Sequence, residues 1–242
     1  MNKWILGMGL SWLASMSAHA IGISSMLEYT NPKGEASFVL TNSEDYRQYI
    51  NVLISEVLVE GGKLKKEPYT RNNISKWAMT AYPARAILEP GFKKTFSLVY
   101  QPVVGEATIN RDKVFQVSFV PSPYFTDEEK KSNVVKMAFG FSPIVIVPAK
   151  EIQPLTYEMR YQGDKVVVTN KGNSFFTLFL DGCAENTPAK ERTACVVDAT
   201  VLAGRELTIA LPVGMVGRPT LHAKLASLGN KFKAETTLRK QS

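Results

Sequence analysis

Histidine and cysteine are scarce in this chain, which has two of each among its 242 residues. His19 lies in an apolar N-terminal segment, so His222 would be the only histidine left if that segment were removed. A zinc site built from several histidines is then excluded, and a Ser-His-Asp triad has one candidate base. We interpret His222 as an ordinary strand residue, and we expect no metal, no cofactor and no enzymatic activity.

The chain also lacks an apolar run long enough to span a bilayer. Its longest, from Trp4 to about Met16, is shorter than the roughly 20 residues that a transmembrane helix needs. The run follows Lys3 and ends at the small-x-small pattern Ala18-His19-Ala20, which is typical of a signal peptidase site. We therefore predict a cleaved Sec-type signal peptide over residues 1–20, export to the periplasm, and no stable membrane insertion.

Clusters of charge of one sign are missing as well. The net charge is +7, but the cations are scattered and form no run longer than Lys65-Lys66 or Lys93-Lys94. Because nucleic-acid sites combine basic stripes with stacking aromatics, we expect no nucleic-acid partner. In an exported protein, an even cysteine count favours a disulfide, here Cys183 to Cys195. So short a ring stabilises the fold by about 3 kcal/mol in the chain-entropy treatment.

Helical periodicity is not sustained over three turns anywhere in the chain, whereas strand-like runs recur between turn residues. One series runs from Ala36 to Val147, and a second follows the proline-bounded stretch VPAKEIQP. The strands that we predict are residues 36–42, 48–59, 78–90, 94–101, 112–121 and 133–147, and then YEMRYQ, DKVVVTNKG, FFTLFLDGC, TACVVDATVL, RELTIALP, TLHAKLAS and FKAETTLRK. The pattern predicts an all-β protein with two sandwich domains, residues 21–148 and 149–242.

The predicted strand over residues 133–147 has an unusual composition. Its large apolar side chains share one face, while the other face has small or charged residues, from Lys136 to Ser142. The apolar face consists of Val135, Met137, Phe139 and Phe141. A charged run, residues 126–132, precedes it, and we predict an exposed, mobile loop there. Periodicity alone allows the apolar face to line either its own core or that of a partner.

Several motifs follow one another in a characteristic order. They are the signal peptide, ISSM, ILEPG before an alternating strand, Arg111-Asp112-x-x-Phe115 before QVSF, NVVKMAF after the charged loop, and Pro148 between the domains. In this order they resemble the periplasmic pilus-assembly chaperones of the chaperone–usher pathway, the PapD-like superfamily. KVVVTNKGNSFFTLFLDGC resembles the V-x-N-x-G-N hairpin and following cysteine of the alternate, common-pilus branch.

This resemblance implies two immunoglobulin-like sandwich domains in an L or boomerang arrangement. It implies that Val135, Met137, Phe139 and Phe141 form a donor strand that fills the open groove of a pilus subunit, and that the subunit is delivered to an outer-membrane usher. The free chaperone could hide this strand by self-association.

One feature of the family cannot be transferred to this chain. Better-known members anchor the subunit's terminal carboxylate with an Arg near the mature start and a Lys at the base of the donor strand. Aligned here, those positions are Met26 and Ile144 or Pro143, and none of these is cationic. Substitute anchors, in order along the strands, are Lys136, Arg111 and Arg47, although a solvated role is the more common one for such residues.

Two other functions remain open from the sequence. The chain could itself be a secreted pilus subunit or adhesin, although no donor segment is evident before Pro32-Lys33-Gly34. It could also be a carbohydrate-binding or hydrolytic sandwich protein. That reading depends on Trp77 and Tyr82 as stacking platforms and on Asp127-Glu128-Glu129 as acids, which lie side by side instead of facing each other across a cleft.

Overall fold

Strands dominate the computed structural model, which describes residues 21–103, 105, 109–131 and 134–241. The predicted signal peptide, together with Ser132 and Asn133, lies outside the described residues. The first ten strands are β1 (Ile21–Ile23), β2 (Leu27–Tyr29), β3 (Glu35–Asn42), β4 (Gln48–Glu60), β5 (Lys63–Pro68), β6 (Met79–Tyr82), β7 (Arg85–Leu88), β8 (Lys93–Tyr100), β9 (Lys113–Pro123) and β10 (Ile144–Val147). Short 3-10 turns cover Arg71–Lys76 and Glu129–Lys131.

These ten strands form two sheets of a first sandwich. One has the order β1-β3-β8-β6, and the other has the order β2-β10-β9-β4-β5, with β7 also paired to β4. Alternate side chains of both sheets meet in one core, in which the ring of Phe119 contacts Phe38 and Phe96 edge-on at centroid distances of 5.7 and 5.1 Å. Such edge-to-face contacts add to the apolar burial that stabilises this sandwich.

The second half of the chain forms a single curled sheet. Its strands are β11 (Tyr157–Gln162), β12 (Lys165–Asn170), β13 (Phe176–Asp181), β14 (Val196–Val201), β15 (Glu206–Ala210), β16 (Thr220–Ser227) and β17 (Lys233–Gln241), in the order β14-β13-β16-β17-β11-β12-β15. Cys183 and Cys195 are joined by a disulfide just after β13 and before β14. The prediction of two immunoglobulin-like domains is confirmed.

Most predicted strands occur within a residue or two of their expected bounds, but three differ. β14 begins three residues after the predicted start at Thr193. The run 78–90 is broken into β6 and β7 at Pro83, where the preceding peptide bond is cis. The run 133–147 is a strand only from Ile144. The sequence pattern does not indicate β1, β2 or β5, because the first two have only three residues each and β5, KLKKEP, has a lysine-rich edge composition without apolar alternation.

The turn after β12 is not a hairpin, contrary to expectation. β12 pairs with β11 and β15, whereas β13 pairs with β14 and β16, so the connection crosses between different parts of the sheet. The buried Asn170 side chain holds this crossing, because its Nδ2 donates to the carbonyls of Ser174 and Val201 and its Oδ1 accepts from the N–H of Gly172. The V-x-N-x-G-N motif is therefore explained by a buried amide and not by a β-hairpin.

The contacts between the two domains include a small apolar cluster and one carboxylate. The rings of Tyr29 and Phe175 stack at a centroid distance of 4.9 Å. Asp112 accepts hydrogen bonds from the N–H of Ala149 at 2.8 Å, the N–H of Phe175 at 2.7 Å and the hydroxyl of Ser174 at 3.0 Å. Burial raises the pKa of Asp112, and these donors oppose the shift. The carboxylate thus ties the second domain to the first.

Candidate functional site

The residues before β10 leave their sheet abruptly. β10 pairs with β9 over its whole length, and one further pair of hydrogen bonds joins Phe141 to Phe119, at 2.7 and 3.1 Å. Beyond that bridge, the segment of residues 134–140, called the arm below, has no strand assignment. Within the described part of the chain, no backbone N–H or C=O of the arm bonds to another backbone group.

The arm exposes large apolar side chains at alternate positions. Val135 is 87% exposed, Met137 is 68% exposed and Phe139 is 66% exposed. An unpaired backbone edge bearing three such side chains is a template for strand addition. The fourth predicted residue, Phe141, differs from the other three because it is only partly exposed and packs against the core of the first domain.

Two prolines explain why the arm does not continue the ladder. In an antiparallel strand, hydrogen bonds point alternately to the two neighbours. Phe119 donates toward Phe141, and Tyr124 donates to the Arg47 carbonyl on the other side, so odd-numbered residues of β9 face the arm. Beyond Phe119, the next odd positions are Pro121 and Pro123, which have no N–H to donate. The P-x-P spacing of Pro121 and Pro123 is the sequence signal for this break, and it was not among our predictions.

Lys136, one of the three candidate cationic anchors, is bound by its own chain. Its Nζ lies 2.8 Å from each carboxylate oxygen of Glu129 and donates to the Tyr124 carbonyl at 2.9 Å, and its side chain is only 10% exposed. The Lys136 ammonium, together with the N–H of Thr126, holds the pKa of Glu129 below its ordinary value. Nothing in the sequence pattern paired Lys136 with Glu129.

Two reciprocal hydrogen bonds join residues at the start of the charged run before the arm. The hydroxyl of Thr126 accepts from the N–H of Glu129 at 3.2 Å, and the Glu129 carboxylate accepts from the N–H of Thr126 at 2.8 Å. This reciprocal pair is a capping box, whose T-x-x-E signature is legible in the sequence. It presents the Glu129 carboxylate to Lys136, so Glu129 has a structural partner and is not placed as one of a catalytic pair of acids.

The other two candidate anchors lie apart from each other. Arg47 forms an ion pair with Glu89 at 2.7 Å, and its guanidinium lies 5.5 Å from the centroid of the Tyr124 ring. Arg111 lies between the domains, where its guanidinium packs so close to Gly204 that a side chain at that position would collide with it. Arg47 and Lys136 thus both contact Tyr124, whereas Arg111 lies elsewhere.

The two positions expected to hold the anchoring cations do meet in space. The N–H of Ile144 donates to the Met26 carbonyl at 3.0 Å, at the base of the arm. Met26 is exposed and Ile144 is partly buried, so this place is apolar. Neither position supplies a cation that could form an ion pair with a partner's carboxylate.

The alternative sites have less support from the geometry. Trp77 stacks on Tyr69 at a centroid distance of 5.2 Å and donates its indole N–H to Asn73, so its ring is already engaged. Tyr82 is 81% exposed, but no other aromatic residue lies on its strand, β6. His222 is exposed, and its Nδ1 lies 3.3 Å from the Thr237 hydroxyl. No group of three or more metal-ligating side chains occurs among the described residues. In the same residues, no helix has both the length and the hydropathy to cross a bilayer.

Comparison with known proteins bears on this site. The family described as CS5 fimbrial protein N-terminal domain matches residues 23–148, which include both sheets of the first sandwich and the arm. Comparison with curated protein sequences gave no match.

Solved structures match both halves of the chain. A chain of the Salmonella enterica SafA pilin in complex with the SafB chaperone is 10% identical, with a TM-score of 0.58 over 91% of this chain and 96% of that one. A chain of the CsuC-CsuE chaperone-tip adhesion subunit pre-assembly complex of Acinetobacter baumannii is 12% identical, with a TM-score of 0.54 over 92% and 100%. The class 5 fimbriae chaperone CfaA is 12% identical, with a TM-score of 0.53 over 92% and 99%. At identities this low, the TM-scores and the coverage show that these chains share a two-domain fold.

Proposed function

The chain belongs to the CS5 fimbrial protein N-terminal domain family, and from this membership and its unpaired arm we propose that it is a periplasmic chaperone for fimbrial subunits. The observation that carries the proposal is a segment with no backbone partner in the described residues and with three large, exposed apolar side chains at alternate positions. Similarity to a class 5 fimbriae chaperone and to chaperone complexes with a pilin or a tip subunit supports it.

The proposed partner is an immunoglobulin-like subunit that lacks its last strand. The arm would add a strand to the open edge through main-chain hydrogen bonds, and Val135, Met137 and Phe139 would enter the groove. Each side chain would contribute about 1.5 to 3 kcal/mol on burial, before the cost of ordering is subtracted. We assign this role to residues 21–148 and leave Phe141 out of the inserted set, because it packs against the chaperone's own core.

Delivery to an outer-membrane usher completes the proposed role. The chain would hold the subunit after export, keep its open edge from aggregating, and release it to the usher. Residues 149–242 would form the second domain, tied to the first by Asp112, with a disulfide suited to an oxidising compartment. This function requires no catalysis, cofactor or metal.

Co-production with candidate fimbrial subunits from the same genome tests the proposal. We expect a one-to-one periplasmic complex with the wild-type chain and none with Phe139→Asp, because a carboxylate cannot be buried unpaired in an apolar groove. Val135→Asp and Val213→Asp are a matched pair, since both valines are largely exposed, at 87% and 94%, and only Val135 is on the arm. The first should weaken the complex and the second should not. Retention of the subunit by folded Phe139→Asp would contradict the proposal.

A further inference from the structure

The arm is held by its side chains in the places where a strand would be held by its backbone. We propose that Lys136 is a positioning residue that fixes the arm in an extended conformation with its apolar face outward, through a clamp formed with Glu129, Tyr124, Tyr46 and Phe125. This inference rests on the proposed function and adds to it how the donor strand is kept ready for its partner.

Lys136 uses its full bonding capacity inside its own domain. An ammonium group has three N–H donors, and those of Lys136 meet the Glu129 carboxylate and the Tyr124 carbonyl. The Nζ atom also lies 4.8 Å from the ring centroid of Tyr46 and 5.1 Å from that of Phe125. A cation enclosed in this way stabilises the contacts that surround it. It is not free to anchor a partner's carboxylate.

Holding Lys136 inward determines which way the neighbouring side chains point. Successive side chains of an extended segment alternate between faces, so Val135 and Met137 must lie opposite a buried Lys136. A slip of one residue would reverse the two faces and expose the lysine in place of the apolar set. The clamp and the Phe119–Phe141 bridge together fix both ends of the arm, and therefore its register.

A second contact replaces a hydrogen bond that β9 cannot make. If the antiparallel register of the Phe119–Phe141 pair continued, Pro123 would lie opposite Met137. Pro123 has no N–H that could donate to the Met137 carbonyl. The Tyr46 hydroxyl donates to that carbonyl instead, at 2.8 Å. Tyr46 thus contacts the arm twice, through its ring at Lys136 and through its hydroxyl at Met137.

Variants of the clamp separate positioning from packing. Lys136→Gln removes the cation, Lys136→Arg keeps it, and Tyr46→Phe removes only the hydroxyl. A matched control is Lys231→Gln, because Lys231 also donates to a carbonyl and lies over a ring, 5.4 Å from the Phe232 centroid, in the other domain. Two quantities would be measured: NMR order parameters of residues 134–140 in the free chain, and the release rate of the co-produced fimbrial subunit into excess untagged wild-type chain.

We expect Lys136→Gln and Tyr46→Phe to lower the order parameters of the arm. We also expect Lys136→Gln to speed subunit release about tenfold, the equivalent of ordering roughly one more residue on binding. Lys136→Arg should restore most of both values, and Lys231→Gln should change neither. Wild-type order parameters and release rates in both Lys136→Gln and Tyr46→Phe would overturn the clamp while leaving the proposed function intact. Subunit binding by Phe139→Asp would overturn the proposed function itself.

Discussion

Replacing Pro121 by threonine should let the arm pair with its own sheet. The new N–H at residue 121 would face the Phe139 carbonyl, and the 121 carbonyl would face the Phe139 N–H, extending the ladder by the same pair of bonds that joins Phe119 to Phe141. The carbonyl of residue 121 is already present in the wild-type chain, so the substitution adds one hydrogen bond, which contributes about 0.5 to 1.5 kcal/mol. At about 1 kcal/mol, that is about a fivefold shift toward the paired arm.

Two assays follow from this shift. Amide hydrogen exchange of the peptide spanning the arm should slow in Pro121→Thr, because the paired state now protects it. Apparent affinity for the co-produced subunit should fall by up to about fivefold, because binding is reduced by the fraction of chains with a free arm. Pro154→Thr, an exposed proline outside any strand, serves as the control. Unchanged exchange and unchanged affinity in a folded Pro121→Thr would refute the explanation based on the missing N–H.

Three further predictions concern the interdomain tie, the clamp and the disulfide. Asp112→Asn should lower the free energy of unfolding in urea by about 1 to 3 kcal/mol, because an amide cannot accept from donors on both of its sides, and Ser174→Ala, which removes one donor, should cost less. Because the pKa of Glu129 is lowered in the folded chain, its contribution is present above the ordinary glutamate pKa and is lost as the pH falls through the lowered value, so the arm order parameters should drop in that acidic range, without such a step in Glu129→Gln. Replacing both Cys183 and Cys195 by serine should cost about 3 kcal/mol of stability in the second domain and leave subunit binding unchanged.

The sequence was sufficient for the elements whose pattern is local. Period-two alternation located β3, β4, β8 and β9, and the ILEPG motif ends in Gly91, which has a φ of +75° in the turn before β8. It did not reveal β5, whose position depends on pairing with β4 and not on its own composition. The break at Pro83 also could not be predicted from the sequence, because a proline within a strand pattern allows either an edge position or an interruption.

The candidate site was predictable only in part. Alternation predicted Val135, Met137 and Phe139 as one face, and all three are largely exposed, but it could not say that Phe141, predicted on the same face, packs against its own core. That distinction depends on where the ladder with β9 ends. Periodicity does not show where the ladder ends, because the end depends on which neighbouring segment Pro121 faces.

The cationic residues required tertiary information for a different reason. Lys136 was a candidate anchor because it lies on the arm, yet its partners include a carbonyl 12 residues away and a tyrosine ring from another loop. The sequence alone does not show whether a charged side chain is already paired within its own domain. The capping box at Thr126 and Glu129 was the one local clue that this loop is structured.

The most direct test of the central claim is amide hydrogen exchange of the arm in the purified complex with a fimbrial subunit, compared with the free chain. If the arm becomes a strand of its partner, the amides of residues 134–140 exchange rapidly in the free chain and slowly in the complex. Equal, rapid exchange in both states, in a complex shown to be intact, would mean that the subunit is held by some other surface.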